Sequence, residues 1–165
     1  MKKFIAIAFT GLLLVGFQKK QVDWRSIVPL LTTRNEVEAQ LGAPSSGKEF
    51  VWIYDTTEER ITVWYSGGKS SGADGCKWDT RKDTVFNFLL APKKKTRLVD
   101  MNIDLSNFHK QKALEMVRDY YYYNENEGIT ITTRMTEGEE ILLSIERGPD
   151  AAQRKTYCCK EGRNC

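Results

Sequence analysis

Gly68-Lys69-Ser70-Ser71-Gly72 has the Gly-x-Ser-x-Gly spacing of a hydrolase nucleophile elbow, in which a strained strand-to-helix turn exposes the serine hydroxyl. Such chemistry needs a general base, and His109 is the single imidazole of the chain. The following Ala73-Asp74-Gly75-Cys76 does not start a helix, and too little chain remains for an α/β-hydrolase sheet. Gly68-Lys69-Ser70 also matches the end of a phosphate-binding loop, but the first glycine of that motif would fall at Val63. His109, between Phe108 and Lys110, reads as a surface or boundary histidine. Glu58-Glu59 and Glu139-Glu140 are adjacent pairs, and neighbours on a strand point to opposite faces, so neither pair can share a proton. Asp74 and Asp79 lack calcium-loop spacing, and the thiols with His109 fit no zinc pattern. No catalytic residue, metal or cofactor is therefore expected. A small secreted enzyme using His109 or Ser70 stands as the alternative.

The aromatic residues support a binding role better. Phe50, Trp52 and Tyr54 alternate along one extended segment, and Trp64 joins them from the next. Tyr120 and Tyr122 line one side of a later segment, Tyr121 and Tyr123 the other. If the interleaved aliphatic residues pack beneath a helix, Phe50, Trp52, Tyr54 and Trp64 form an outward aromatic face. Exposed Trp and Tyr suit protein interfaces and sugars because they give large contact area at low entropy cost. Alternatively, such a row cross-packs within the sheet as a second core layer.

The elements that position these residues read as α+β: one mainly antiparallel sheet of about six strands carrying one or two short helices. Thr33 with Glu36 makes a capping box, Val37 and Leu41 share a face, and Gly42 and Pro44 end the helix. Strands are predicted at 48–54, 60–65, 83–91, 117–123, 128–135 and 139–146, with a short extended piece at 98–104. A second helix is predicted at 105–114, with Ser106 as its N-cap. Tyr54 to Val63 echoes Tyr122 to Ile131, which duplication or the chance likeness of two turn-flanked strands would equally produce.

Lys2 and Lys3 precede a twelve-residue apolar run, Phe4 to Val15, which Gln18, Lys19 and Lys20 end. The run lies within the roughly 7–15 residues of a secretory h-region and below the ~20 that span a bilayer. The expected division is a signal peptide at 1–16, a lead-in segment at 17–26, one domain at 27–148 and a Cys-rich tail at 149–165. Removing the signal takes the net charge from +3 to +1, so nucleic acid is not an implied partner. A membrane enters only if the signal remains uncleaved.

Four cysteines, Cys76, Cys158, Cys159 and Cys165, read as two disulfides in a periplasmic or extracellular protein. A Cys158–Cys159 bridge needs a strained ring. The two remaining pairings join Cys76 to one of the adjacent cysteines and Cys165 to the other. The implied function is an exported, non-catalytic binding or scaffold protein whose partner is an unknown protein or envelope component. A purely structural envelope component is a further alternative.

Thr33, Val37, Leu41, Gly42 and Pro44, followed by the strands from Phe50 to Tyr65, resemble the module of the small-protein-A/OmlA outer-membrane lipoproteins. That resemblance implies a helix-on-sheet module that binds proteins and has no catalytic residues.

Overall fold

The Thr33 capping box forms as its residues require. The Thr33 side chain accepts from the Glu36 backbone N–H, and the Glu36 carboxylate accepts from the Thr33 backbone N–H. Helix α1, Arg34–Leu41, starts there and stops at Gly42, whose φ of 82° suits glycine. At two turns it cannot hold itself; it buries Val37 against a sheet. The computed structural model describes residues 23–71, 76–114 and 117–159.

Among the described residues eleven strands follow in chain order. They are β1 Ser46–Lys48, β2 Val51–Asp55, β3 Glu59–Tyr65, β4 Ser70–Ser71, β5 Lys77–Trp78, β6 Val85–Pro92, β7 His109–Lys112, β8 Asp119–Asn124, β9 Ile129–Thr136, β10 Glu139–Arg147 and β11 Cys158–Cys159. Eight make one sheet in the order β1-β2-β3-β6-β10-β9-β8-β7, with every pair antiparallel. The other three form a small antiparallel sheet, β11-β5-β4. The architecture is α+β as expected, and the main sheet exceeds the six expected strands by its two edges, β1, which a tight turn separates from β2, and β7.

One face of the large sheet is the core. Tyr54, Ile61, Val63, Phe88, Leu90, Ile145 and Ile131 pack there beneath Trp24, Ile27, Val37 and Leu98. Tyr54 and Tyr65 join their hydroxyls at 2.8 Å inside it. Burial pushes both phenols up, so the pair stays neutral. A smaller cluster of Leu30, Cys76, Trp78 and Cys158 holds the three-stranded sheet against the domain.

Two expectations for the later chain are corrected. Residues 105–114 form no helix. Phe108 N–H closes a turn on Leu105 O, and 109–112 become β7, because the tyrosine strand β8 needs a second neighbour and finds it in Lys110↔Tyr122 and its flanking pairs. Residues 98–104 are not extended. A 3-10 turn at Leu98–Met101 forms where Arg97 grips Asp100 through two bonds of 2.8 and 2.7 Å, and Asn102 leaves it left-handed at φ 48°. The tail contains helix α2, Ala151–Tyr157, capped by Asp150 and Gln153 in a second reciprocal box. As for the internal echo, Tyr54 pairs with Ile61 but Tyr122 with Ile131, so the two hairpins differ by two residues in register.

The β2–β3 hairpin is clasped at its turn. Asp55 receives Lys93 Nζ at 2.9 Å, Ser45 Oγ at 2.9 Å and Arg60 Nε at 3.1 Å. Lys93, then Ser45 and Arg60, hold its carboxyl down from 3.8 to about 2. Because the folded value lies below the unfolded one, this clasp stabilises fully above pH ~4 and fades as pH falls toward 2. Asp55→Asn is expected to flatten the acid side of the stability curve. Urea midpoints at pH 6 and pH 3 measure it, and an unchanged difference between them refutes the assignment.

Candidate functional site

Strand alternation assigns each residue of the hairpin to a face. Trp52 pairs with Val63 and Tyr54 with Ile61, so both aromatics point into the core. Tyr54 is only 1% exposed. Trp52 is half-buried, with the Arg34 guanidinium 5.0 Å above its ring and the same guanidinium 4.8 Å above Tyr65. Phe50 sits in the turn between β1 and β2, exposed, with its ring against Gly67. Trp64 pairs with Val51 and lies on the opposite face. The expected aromatic face of Phe50, Trp52, Tyr54 and Trp64 is therefore not one surface. α1 packs on the aromatic side because the Tyr54–Tyr65 hydroxyl pair and the Arg34 stack both lie beneath it. The outward residues of β2 are the aliphatic ones.

That outward face is the candidate site. One row of paired residues crosses the whole sheet on it: Ser46, Ile53, Thr62, Leu89, Glu146, Thr130, Tyr123 and His109. Val51, Trp64 and Asn87 form a shorter row beside it. Its β2–β3–β6 half is apolar, with Val51 37% exposed and Ile53, Trp64 and Leu89 half-buried. None of Ile53, Trp64 and Leu89 packs against the main core. The β10–β9–β8 half is polar, with two tyrosines, Tyr121 and Tyr123, standing among threonines.

At the end of the polar half, α2 closes a cleft of about 500 Å3. Phe86, Asn87, Tyr123, Thr130, Glu146 and Arg154 line it. Asn87 Nδ2 donates to Glu146 Oε1 at 2.6 Å, while Asn87 Oδ1 is shielded from solvent and has no partner among the described residues. The floor depends on Gly128, at φ 66°; a Cβ there would lie 2.3 Å from the Gly148 carbonyl oxygen. Gly148 N–H donates to Gly128 O at 2.9 Å, and Ala151 N–H to Glu125 O, which docks the start of α2 on the β8–β9 turn. Gln153 Nε2 then reaches Pro29 O at 2.6 Å.

The groups singled out for catalysis do not converge. His109 is exposed on the edge strand with its ring 5.3 Å from that of Tyr123. Glu146 lies three strands away, about 14 Å at ordinary strand spacing. Glu58 pairs with Lys94, Glu139 with Arg97, and Glu140 with Lys110 and the Tyr122 hydroxyl. Burial pulls Lys110 down, but Glu140 and Tyr122 outweigh it and its net direction is up; burial raises the Tyr122 phenol. The Ser70 side chain and the expected signal at 1–16 lie outside the described residues.

Cys76 and Cys158 form a disulfide with Cα atoms 5.1 Å apart. Cys158 sits opposite Trp78, and residues two apart on a strand share a face, which brings Cys158 to Cys76. The Cys159 side chain and Cys165 lie outside the described residues, so the expected second bridge does too. No helix among the described residues is long and apolar enough to cross a membrane.

The cleft was not legible in the sequence. Its signals, Asp150 three residues before Gln153 and a left-handed Gly128, are visible only when the tail is read as an element. No family model, curated protein or solved structure matches the chain.

Proposed function

We propose that the chain is an exported, non-catalytic binding or scaffold protein that works through the open face of its large sheet. The carrying observation is the apolar half of that face. Val51, Ile53, Trp64 and Leu89 form neighbouring positions on three paired strands, outside the core cluster. A mixed face with a Trp at its centre is a contact surface, and Trp anchors are where binding energy concentrates. The disulfide supports export, since such bonds persist in oxidising compartments. The helix-then-hairpin likeness to small-protein-A/OmlA modules supports a protein-binding role, with an envelope component as partner.

Trp64→Ala combined with Ile53→Ser is expected to abolish capture of envelope partners by the tagged protein after cross-linking. The far-UV spectrum and urea midpoint should remain close to wild type, because both residues stand outside the core. Capture of the same partners by the folded double variant refutes the reading.

A further inference from the structure

We infer that the cleft between α2 and the polar half of the sheet is a binding site for a neutral oligosaccharide. This deepens the binding reading by assigning a ligand class to one part of the face. The strands crossed by the cleft are β6, β10, β9 and β8, and the residues on them alternate in character. Phe86 and Asn87 stand at one side, Glu146 and Thr130 in the middle, and Tyr123 at the other side. Ring surfaces thus flank a polar floor across about 14 Å, three strand spacings.

Sugars present two kinds of surface, an apolar patch of ring C–H groups and a rim of hydroxyls. Phe86 and Tyr123 match the first. The second needs planar groups that donate and accept with fixed geometry. The Asn87 amide and the Glu146 carboxylate are held in place by their mutual bond of 2.6 Å. That bond leaves one Glu146 oxygen for a hydroxyl donor. Asn87 Oδ1 has no partner among the described residues but is shielded from solvent, so Asn87 acts on the ligand by holding the Glu146 carboxylate in place. Thr130 adds a hydroxyl that both donates and accepts.

Charge selects against the other ligand classes. Among the described residues that line the cleft, Glu125 and Glu146 are acidic and Arg154 is the one cation, so an anion meets net repulsion. The Arg154 guanidinium is already engaged, its Nε on Pro149 O at 3.3 Å and its charge 5.9 Å from the Trp78 ring centre. A cleft of about 500 Å3 fits the ordinary range for small-ligand sites and is open enough to admit a chain end.

The test is a glycan array carrying neutral and acidic oligosaccharides, probed with the disulfide-bonded protein, followed by titration of the best neutral glycan. Neutral glycans should bind and acidic ones should not. Thr130→Val and Asn87→Leu, both near-isosteric, should each weaken binding about three- to ten-fold, the size of one lost hydrogen bond. If no neutral glycan binds while partner capture through Trp64 persists, the saccharide assignment falls and the binding reading stands. If capture also fails, both fall. Preference for acidic glycans, or neutral binding indifferent to both cleft variants, likewise overturns the assignment.

Discussion

Replacing Cys76 and Cys158 together by alanine is expected to lower the stability of the domain by ~4.5 kcal/mol. The bridge joins residues 82 apart in sequence, so without it the unfolded chain regains the freedom of a loop that spans most of the domain. Alanine is the right replacement because both cysteines are buried beside Trp78 and Leu30, where a hydroxyl would add its own cost. For a domain of this size the loss corresponds to roughly 10–15 °C in Tm. The same loss should follow when a mild reductant acts on the wild-type protein. The effect should begin locally. β11 contacts the rest through two residue pairs with β5, and α2 leads directly into it. Release of the bridge therefore frees the wall of the cleft first. Thermal unfolding with and without reductant, followed by Trp emission, measures both stages. A double variant that melts within ~2 °C of wild type shows that the bridge contributes little.

Arg147→Ala should produce the second large loss, ~3 kcal/mol. Arg147 pairs with Phe88 on the core face of the sheet, an unusual place for a charge. Its Nη1 donates to Arg25 O at 2.8 Å and Ile27 O at 3.2 Å. Those two carbonyls belong to the segment that carries Trp24 and Ile27 over the sheet, so one side chain docks that segment onto the core. Burial holds the guanidinium below its ordinary value, and Nε has no partner among the described residues, so the two carbonyl bonds of Nη1 carry the docking. Lysine offers a point charge without the planar fork, and Arg147→Lys should recover only part of the loss. Trp24 reports the mechanism directly, since its ring lies 6.5 Å from Phe88. Its emission should shift to the red in Arg147→Ala at urea concentrations where the sheet is still intact. A stability change under ~1 kcal/mol would mean that the segment is held by Trp24 and Ile27 burial alone.

The acid clasp at Asp55 and the Arg147 dock differ in how visible they are beforehand. Asp55 lies in a polar turn between two alternating runs, and the turn itself is plain in the sequence. Its partners Lys93 and Ser45 come from separate loops that only strand pairing brings together. Arg147 falls at the end of a strand in a run of mixed residues, and nothing local distinguishes an inward arginine from an outward one. Helix α2 is a different case. Asp150 and Gln153 carry a complete capping signal, which the division into one domain and a Cys-rich tail leaves unassigned. The tyrosine strand was legible from composition, but its partner was not. Ser106 and the spacing of Leu105 and Phe108 suit a helix start as well as a turn before an edge strand.

Local chemistry in the chain determined the α+β class, the capped helix at Thr33, the hairpin at 51–65, the paired strands at 129–147 and the need for a disulfide at Cys76. Caps, turns and alternation act within a few residues, so they are written in sequence order. Three things were decided only by the tertiary structure: which face of the hairpin meets α1, which cysteine Cys76 takes, and where a cleft opens. Each depends on groups tens of residues apart, such as the Tyr54 and Tyr65 hydroxyls beneath Arg34, Cys158 opposite Trp78, and α2 docked beside Glu146. Alternation makes the two faces of a strand, and only what packs against them distinguishes inside from outside.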